Sequence, residues 1–516
     1  MKPKSSVPGD IPRKLVQEFG PELALPAGKI FRNIVKTGQW PKPWRVEYGT
    51  PLKKVSNPET EDQLRIISLT SYLSKVFEQY VVEWLLQYVG KKMDWGQYGG
   101  EKGSSISHYL IEFVNYILYN QDMNIPHAVL AVMIDYSKAF NRICHNNIIR
   151  ILSNMGVPGW LLRIVMGFLT ERELIVRHGG KQSGRKWLPG GSPQGTRLGL
   201  FLFLILINAA GYEQLEKQLG EHITKKKNKR QIIPSIHMKY VDDLTLAEAI
   251  NVKDCVLPNP DPNPPRPLAY HDRTLHVLPR DQTPVQGELY KMVQYCGENQ
   301  MRINTDKTKV VLFNTARKYD FMPQLTIDGT NLLEVVEEFR LLGLVFTSNL
   351  SWQANTDQMC QKGFARLWML RRLKKLGATH SEIRCILELA VAVWTPGLTK
   401  AESYQIERVQ KCALHVIMGD SYLSYDHAAA FLEVEKLSER RPRLCLNFAK
   451  RLENHPKYST WFHPAEEIQP PYIKTRSDKS LVQSKYTPVP YRTDRFSRSP
   501  LPFLTELLNT HHARKK

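Results

Sequence analysis

The sequence predicts an α+β fold with a helical last third, and three stretches carry that prediction. The apolar run Ala128 to Ile134 is continuous and short, as in a strand buried on both faces of a sheet. Two strand-like runs, Ile236 to Val241 and Leu244 to Ala247, flank Tyr240-Val241-Asp242-Asp243, which reads as the tip of a hairpin. Beyond Trp352 the pattern turns helical and basic, with Arg371-Arg372-Leu373-Lys374-Lys375 and Arg440-Arg441-Pro442-Arg443.

In chain order, Ile11 to Val35 is helical in pattern and Arg45 to Leu52 is strand-like. Lys53-Lys54 and a polar loop lead to Leu64 to Leu69, and a helix is expected from Ser71 to Val89, capped by Thr70 or Ser71. The glycine-rich loop Gln97 to Ser105 opens a helix over His108 to Asn120. It has the flexibility of a phosphate cradle without the P-loop lysine spacing. After the Ala128 to Ile134 strand come helices over Ile148 to Asn154 and Trp160 to Leu169, then a Leu174 to Trp187 hairpin turning at Gly179-Gly180. Pro189 to Thr196 is a loop able to approach a ligand closely, and Leu198 to Ala210 is a buried helix, short of the roughly twenty residues of a membrane span. Lys225 to Arg230 is a basic run, and Pro258 to Pro284 reads as an exposed insertion. A helix over Glu288 to Glu298, a strand over Val310 to Phe313, a further strand and turn over Leu325 to Gly329, and the run Phe339 to Phe346 follow. In the polar, proline-containing end of the chain only Phe503 to Leu508 resembles a helix.

The 516 residues suggest about three domain-sized units, and 42% hydrophobic with 10% aromatic content is that of a folded protein. The 71 Lys and Arg exceed the 50 Asp and Glu by a formal +21, which points to a polyanionic partner, nucleic acid ahead of a membrane surface. Seven cysteines without a C-x-x-C pair argue against a disulfide framework or zinc finger and for an intracellular, reducing compartment, nucleus and cytoplasm alike.

Adjacent carboxylates at Asp242-Asp243 repel one another and resist desolvation unless a cation stands beside them, although alone the pair is an ordinary turn. Asp135, at the end of the buried strand, fits a cleft-facing carboxylate and a helix N-cap equally. If strand and hairpin lie side by side, the three carboxylates converge into the acidic cluster that two magnesium ions require for phosphoryl transfer. Lys53 or Lys54, Arg65 and Lys307 are the candidate cations for a triphosphate, and Gln194 is a polar group delivered at a helix entrance.

Asp135-Tyr136-Ser137-Lys138-Ala139-Phe140, Gly191-Ser192-Pro193-Gln194-Gly195, Tyr240-Val241-Asp242-Asp243, Asn304 to Thr308 and Leu341-Leu342-Gly343 resemble, in order and spacing, the motifs of reverse transcriptases from non-LTR (LINE-like) retrotransposons. Arg65 to Leu69, Gln97 to Ser105 and Trp40 to Lys54 resemble that family's upstream segments, and the likeness spans roughly residues 3 to 420.

The resemblance implies a right-hand polymerase: an N-terminal finger extension at 1–33, fingers and palm at 34–346 with a Pro-rich insertion at about 251–287, a helical thumb-like region at 347–460, and a polar tail at 461–516. It implies Asp135, Asp242 and Asp243 as catalytic metal ligands for two Mg2+, or Mn2+, and Lys307 as a proton donor to pyrophosphate. Lys53, Lys54, Arg65, Lys138, Ala139, Phe140 and Gln194 would be nucleotide-binding residues, with Phe140 as an aromatic gate against the ribose 2′-hydroxyl. The implied partners are an RNA template, a DNA primer or target DNA, and dNTPs. Ile66, Asn141, Leu200 and the Gly190-Gly191-Ser192 approach depart from the family pattern without removing a metal ligand. No stretch resembles an endonuclease, a ribonuclease H or a Cys-rich knuckle. A catalytically silent RNA-binding remnant and an intron maturase are the alternatives.

Overall fold

A computed structural model describes residues 7–123, 127–137, 139–208, 232–233, 235–251, 275–278, 284–314, 320–373, 381–465 and 484–514. The basic run Lys225 to Arg230, residue Lys138 and most of the Pro-rich stretch lie outside the described residues.

One sheet orders Leu64–Leu69, Val46–Lys53 and Arg172–His178 side by side, with Lys181–Gln182 and Lys186–Leu188 against the last of these. The expected hairpin forms here. Gly179 and Gly180 both take positive φ, as a two-residue loop matched to the strand twist requires. Val46–Lys53 runs parallel to Arg172–His178, and Glu47 and Arg172 bury a salt bridge in this sheet, Nε donating to Oε1 at 2.7 Å. Arg172 Nη1 also donates to the Phe168 carbonyl at 3.0 Å.

The second sheet has the order Glu334–Val335, Lys309–Phe313, His127–Ile134, Asp243–Asn251, Ser235–Tyr240. His127–Ile134 is central, as its continuous apolar run predicts. Val129 and Ala131 enter one core with Phe113, Tyr116 and Phe313, while Leu130, Val132 and Ile134 enter the other with Phe203 and Leu289. Since alternate side chains of a strand point to opposite faces, only a strand covered on both faces is apolar at every position.

Helices Ile106–Gln121 and Arg197–Asn208 supply much of that cover. Neither these nor any other helix among the described residues is long and apolar enough to cross a membrane. Helix Tyr72–Val89 starts where expected but neither Thr70 nor Ser71 caps it. Asp10 does so from a distance, accepting the Tyr72 N–H at 2.7 Å and the Ser71 hydroxyl at 2.9 Å. On this helix Tyr80 is exposed while Glu78 is buried, accepting the Leu198 N–H at 3.1 Å.

Three local readings are corrected. Within the Pro-rich stretch, Leu275–Leu278 is a strand, parallel to Asp320–Pro323. The expected Leu325 to Gly329 strand is a single Thr326–Leu332 bridge around a turn in which Asp328 accepts the Thr330 and Asn331 N–H groups at 2.9 and 2.8 Å. The last helix runs Pro500–Ala513, longer than its sequence pattern, and Leu501, Leu504 and Leu508 join the core that holds Phe113. Proline is tolerated in a first helical turn, where the N–H it lacks would have no intrahelical partner. Upstream of that helix, the Asp122 carboxylate takes the N–H groups of Arg492 and Thr493 at 2.9 and 2.7 Å, fastening this end of the chain to the C-terminus of helix Ile106–Gln121.

The Glu47–Arg172 pair sets a stability test. Arg172→Met leaves a buried carboxylate unpaired and is expected to cost about 3–5 kcal/mol in urea unfolding, whereas Glu47→Gln with Arg172→Met recovers a large part of that loss. Equal losses in the single and double variants would contradict this assignment.

Candidate active site

The register of the second sheet assembles the acidic residues. Ile134 pairs with Leu244, so Asp135, the next residue of one strand, continues opposite Asp243, which opens the other. Tyr240 pairs with Asp243 and leaves Val241-Asp242 as a two-residue turn. Val241 has φ 61°, a conformation costly for a β-branched residue. The carboxylates sense one another. Burial, then Asp242 and Asp135, push Asp243 up to about 6, while Arg65 opposes the shift. Burial also raises Asp242, with Asp135 adding to the rise and Arg65 opposing it.

Lys307 is the second cation, its Nζ 3.9 Å from Asp135 Oδ2, both side chains being largely open to solvent. Its loop is tied to the same strand end, for the Asn304 N–H donates to the Asp135 carbonyl at 2.8 Å and the Ser137 N–H to the Arg302 carbonyl at 2.8 Å. Asp135 is thus not a helix cap. Three carboxylates offering oxygen donors alone suit a hard divalent cation. Among the described residues, however, no three His, Cys, Asp or Glu side chains are gathered closely enough to hold a metal ion, so the expected bridging cluster is not closed in this arrangement.

The other expected residues fall into two groups. Phe140 lies on the short helical turn Ala139–Arg142 with its ring against Phe203, centroids 4.6 Å apart, while the Ala139 side chain is buried in the same core. The loop before Gln194 crosses directly beneath. Gly191 has φ 83°, and a Cβ there would meet Asn141 Cα and the Phe140 carbonyl at 3.0 Å, so only glycine fits this approach. Gln194, half-buried, gives its carbonyl to the Ser68 N–H at 3.1 Å, joining this loop to the strand that carries Arg65. Lys53 and Lys54 are exposed at the far end of the neighbouring strand, where Lys53 pairs with Leu64.

Sequence reasoning missed what stands behind the hairpin. The glycine-rich loop cradles protein: Tyr98 N–H donates to the Lys239 carbonyl at 2.8 Å, Lys239 N–H to the Gly96 carbonyl at 2.7 Å, and Gln97 Oε1 accepts the Val241 N–H at 3.1 Å. Lys239, nearly fully buried, donates from Nζ to Asp94 Oδ2 at 2.7 Å. No local signal marked it, because Lys239 shares with His237 the face of the strand that alternation assigns to polar residues.

The family model for reverse transcriptase (RNA-dependent DNA polymerase) matches residues 52–346, more than half of the chain. The chain is 22% identical over 448 residues to the RNA-directed DNA polymerase from mobile element jockey of Drosophila melanogaster, covering 83% of this chain and 43% of that protein. It is 26% identical over 441 residues to the probable RNA-directed DNA polymerase from transposon BS of the same species, covering 83% of this chain and 44% of that protein. A retrovirus-related Pol polyprotein from type-1 retrotransposable element R2 of Popillia japonica matches at 25% identity over 185 residues, 35% of this chain and 26% of that one. The chain spans less than half the length of these relatives. Among solved structures, telomerase from Candida tropicalis in complex with a TWJ fragment of telomeric RNA is similar at TM-score 0.41 and 10% identity, covering 86% of this chain and 67% of that one. With its motifs in order and its family model matched across fingers and palm, the chain belongs to the reverse transcriptase family, of the non-LTR retrotransposon kind.

Proposed function

We propose that this chain is an RNA-directed DNA polymerase that extends a DNA primer on an RNA template with dNTPs. The observation that carries this reading is the register placing Asp135 beside the Asp242-Asp243 tip, where burial and mutual repulsion raise both hairpin carboxyls. Such a cluster is poised to exchange protons for cations, because an opposite charge nearby favours the ionised form.

In the reaction, the primer 3′-hydroxyl oxygen bonds to the α-phosphorus of the dNTP, its proton is lost, and the bond from that phosphorus to the β-phosphate oxygen breaks to release pyrophosphate. Asp135, Asp242 and Asp243 are the residues that would hold two Mg2+, or Mn2+. Bound there, the ions would supply charge neutralisation for the attacking and leaving oxygens. The rest is positioning by the protein. Arg65, whose charge reaches both hairpin aspartates, would bind the triphosphate together with Lys53 or Lys54, and Lys307, 3.9 Å from Asp135, would return a proton to the departing pyrophosphate. Gln194, whose main-chain carbonyl accepts the Ser68 N–H, would contact the incoming nucleotide or the template through its side-chain amide. Phe140, whose ring packs on Phe203, would be the aromatic gate against a ribose 2′-hydroxyl. The formal +21 of the chain favours the template–primer backbone as its partner, through salt-sensitive contacts.

Purified protein is expected to extend a DNA primer on an RNA template with Mg2+ and dNTPs, and Asp242→Ala with Asp243→Ala is expected to reduce extension to background. Extension absent from the wild type, or unchanged in the double variant, would leave the RNA-binding remnant as the better reading. Sugar choice gives a second expectation: Phe140→Ala should raise ribonucleotide use relative to dNTP by about 10- to 100-fold, the scale of discrimination by a tight pocket. Unaltered selectivity would remove the gate role.

A further inference from the structure

We propose that Gln97 is a positioning residue for nucleotide addition, its side-chain oxygen fixing the turn that carries Asp242; this rests on the polymerase reading above. The turn needs outside support. Val241 sits at φ 61°, and a β-branched residue held there persists only where its surroundings determine it. Gln97 is 5% exposed, and its Oε1 accepts two N–H groups, that of Gly99 at 2.9 Å and that of Val241 at 3.1 Å. Both partners are donors, so it is the amide oxygen that faces the turn.

The loop is brought this close by its backbone. Gln97 forms a parallel bridge with Lys239, flanked by the Tyr98 and Lys239 N–H bonds of 2.8 and 2.7 Å. Gly99 then passes so near the turn that a Cβ on it would stand 2.5 Å from the Val241 nitrogen. The loop is also pinned from its other side. Lys457, from the helical C-terminal region, donates to the carbonyls of Trp95 and Gln97 at 2.6 and 3.3 Å and pairs with Glu101 at 3.1 Å. A chain of direct contacts therefore runs from the C-terminal region through the Gln97 backbone and side chain to the residue before Asp242.

Gln97→Met keeps the shape and deletes the acceptor, whereas Gln97→Glu keeps both acceptor positions. In Gln97→Met, amide exchange at Val241 is expected to accelerate about tenfold or more, and kcat for primer extension to fall about 10- to 100-fold, the scale seen when a supporting hydrogen bond to a catalytic group is lost. KM for dNTP and affinity for the template–primer should stay within about twofold, since Gln97 touches neither. Gln97→Glu should restore both exchange protection and most of kcat. Should Gln97→Met fold poorly, Gly99→Ala presses on the same turn and is expected to give the same pattern. Equal Val241 exchange in all variants overturns the proposal, as does a loss in Gln97→Met that falls on KM or is not recovered by Gln97→Glu. If exchange responds as expected but the wild type extends no primer, the polymerase reading fails and the catalytic part of the proposal with it.

Discussion

The antiparallel pairing of His127–Ile134 with Asp243–Asn251 is the constraint on which the rest of the palm depends. It brings two strand ends together so that Asp135 and Asp243 are neighbours, and with Asp242 they concentrate like charge at one edge of the sheet. The displacement of Asp243 from 3.8 to about 6 means that this crowded edge disfavours its ionised form, solvent screening notwithstanding. That cost is offset locally by the strands beneath it. Fully burying a Val, Leu or Ile contributes roughly 1.5–3 kcal/mol, and Val129, Leu130, Val132 and Leu246 all lie in the two cores that sandwich this pair of strands. A sheet covered on one face only would have less to set against the acidic edge.

Much of this was legible in the sequence because it is governed by short-range pattern. The continuous run at Ala128 to Ile134 required a strand covered on both faces, and the paired glycines at 179 and 180 required a tight hairpin. The site was legible to the same degree, since strand ends and turns are where charged residues interrupt apolar periodicity. Arg65 and Lys307 had no such signal. Their places come from a neighbouring sheet and from the Asn304–Asp135 backbone bond, contacts between residues far apart in sequence.

What stayed illegible has a common cause. Asp10 caps a helix sixty-two residues on, Asp122 fastens residues 492 and 493, and Lys457 grips the loop at 95–101. Each is a polar side chain satisfying main-chain groups of a remote segment, and local periodicity carries no trace of such a bond. The final helix was underestimated for a different reason, since Pro500 and Pro502 and its polar outer face hide three buried leucines.

The polar group beneath the hairpin is best understood as a device of register. Lys239 is almost wholly buried, and burial lowers its pKa against the pull of Asp94. Asp94 resists burial through its bonds to His237 and Lys239, which hold its carboxyl well below the usual range. A buried pair of this kind adds little net stability, but an arrangement that separates its members leaves a charge unpaired, at about 3–5 kcal/mol. A one-residue slip of Ser235–Tyr240 along its partner would do so, because every side chain of a slipped strand changes face. Asp94 and Gln97 belong to one short segment, so the residues that fix the register of the strand also hold the turn at its end. Electrostatics three residues behind the tip thereby selects the pairing of Ser235–Tyr240 with Asp243–Asn251 that closes the two-residue turn carrying Asp242.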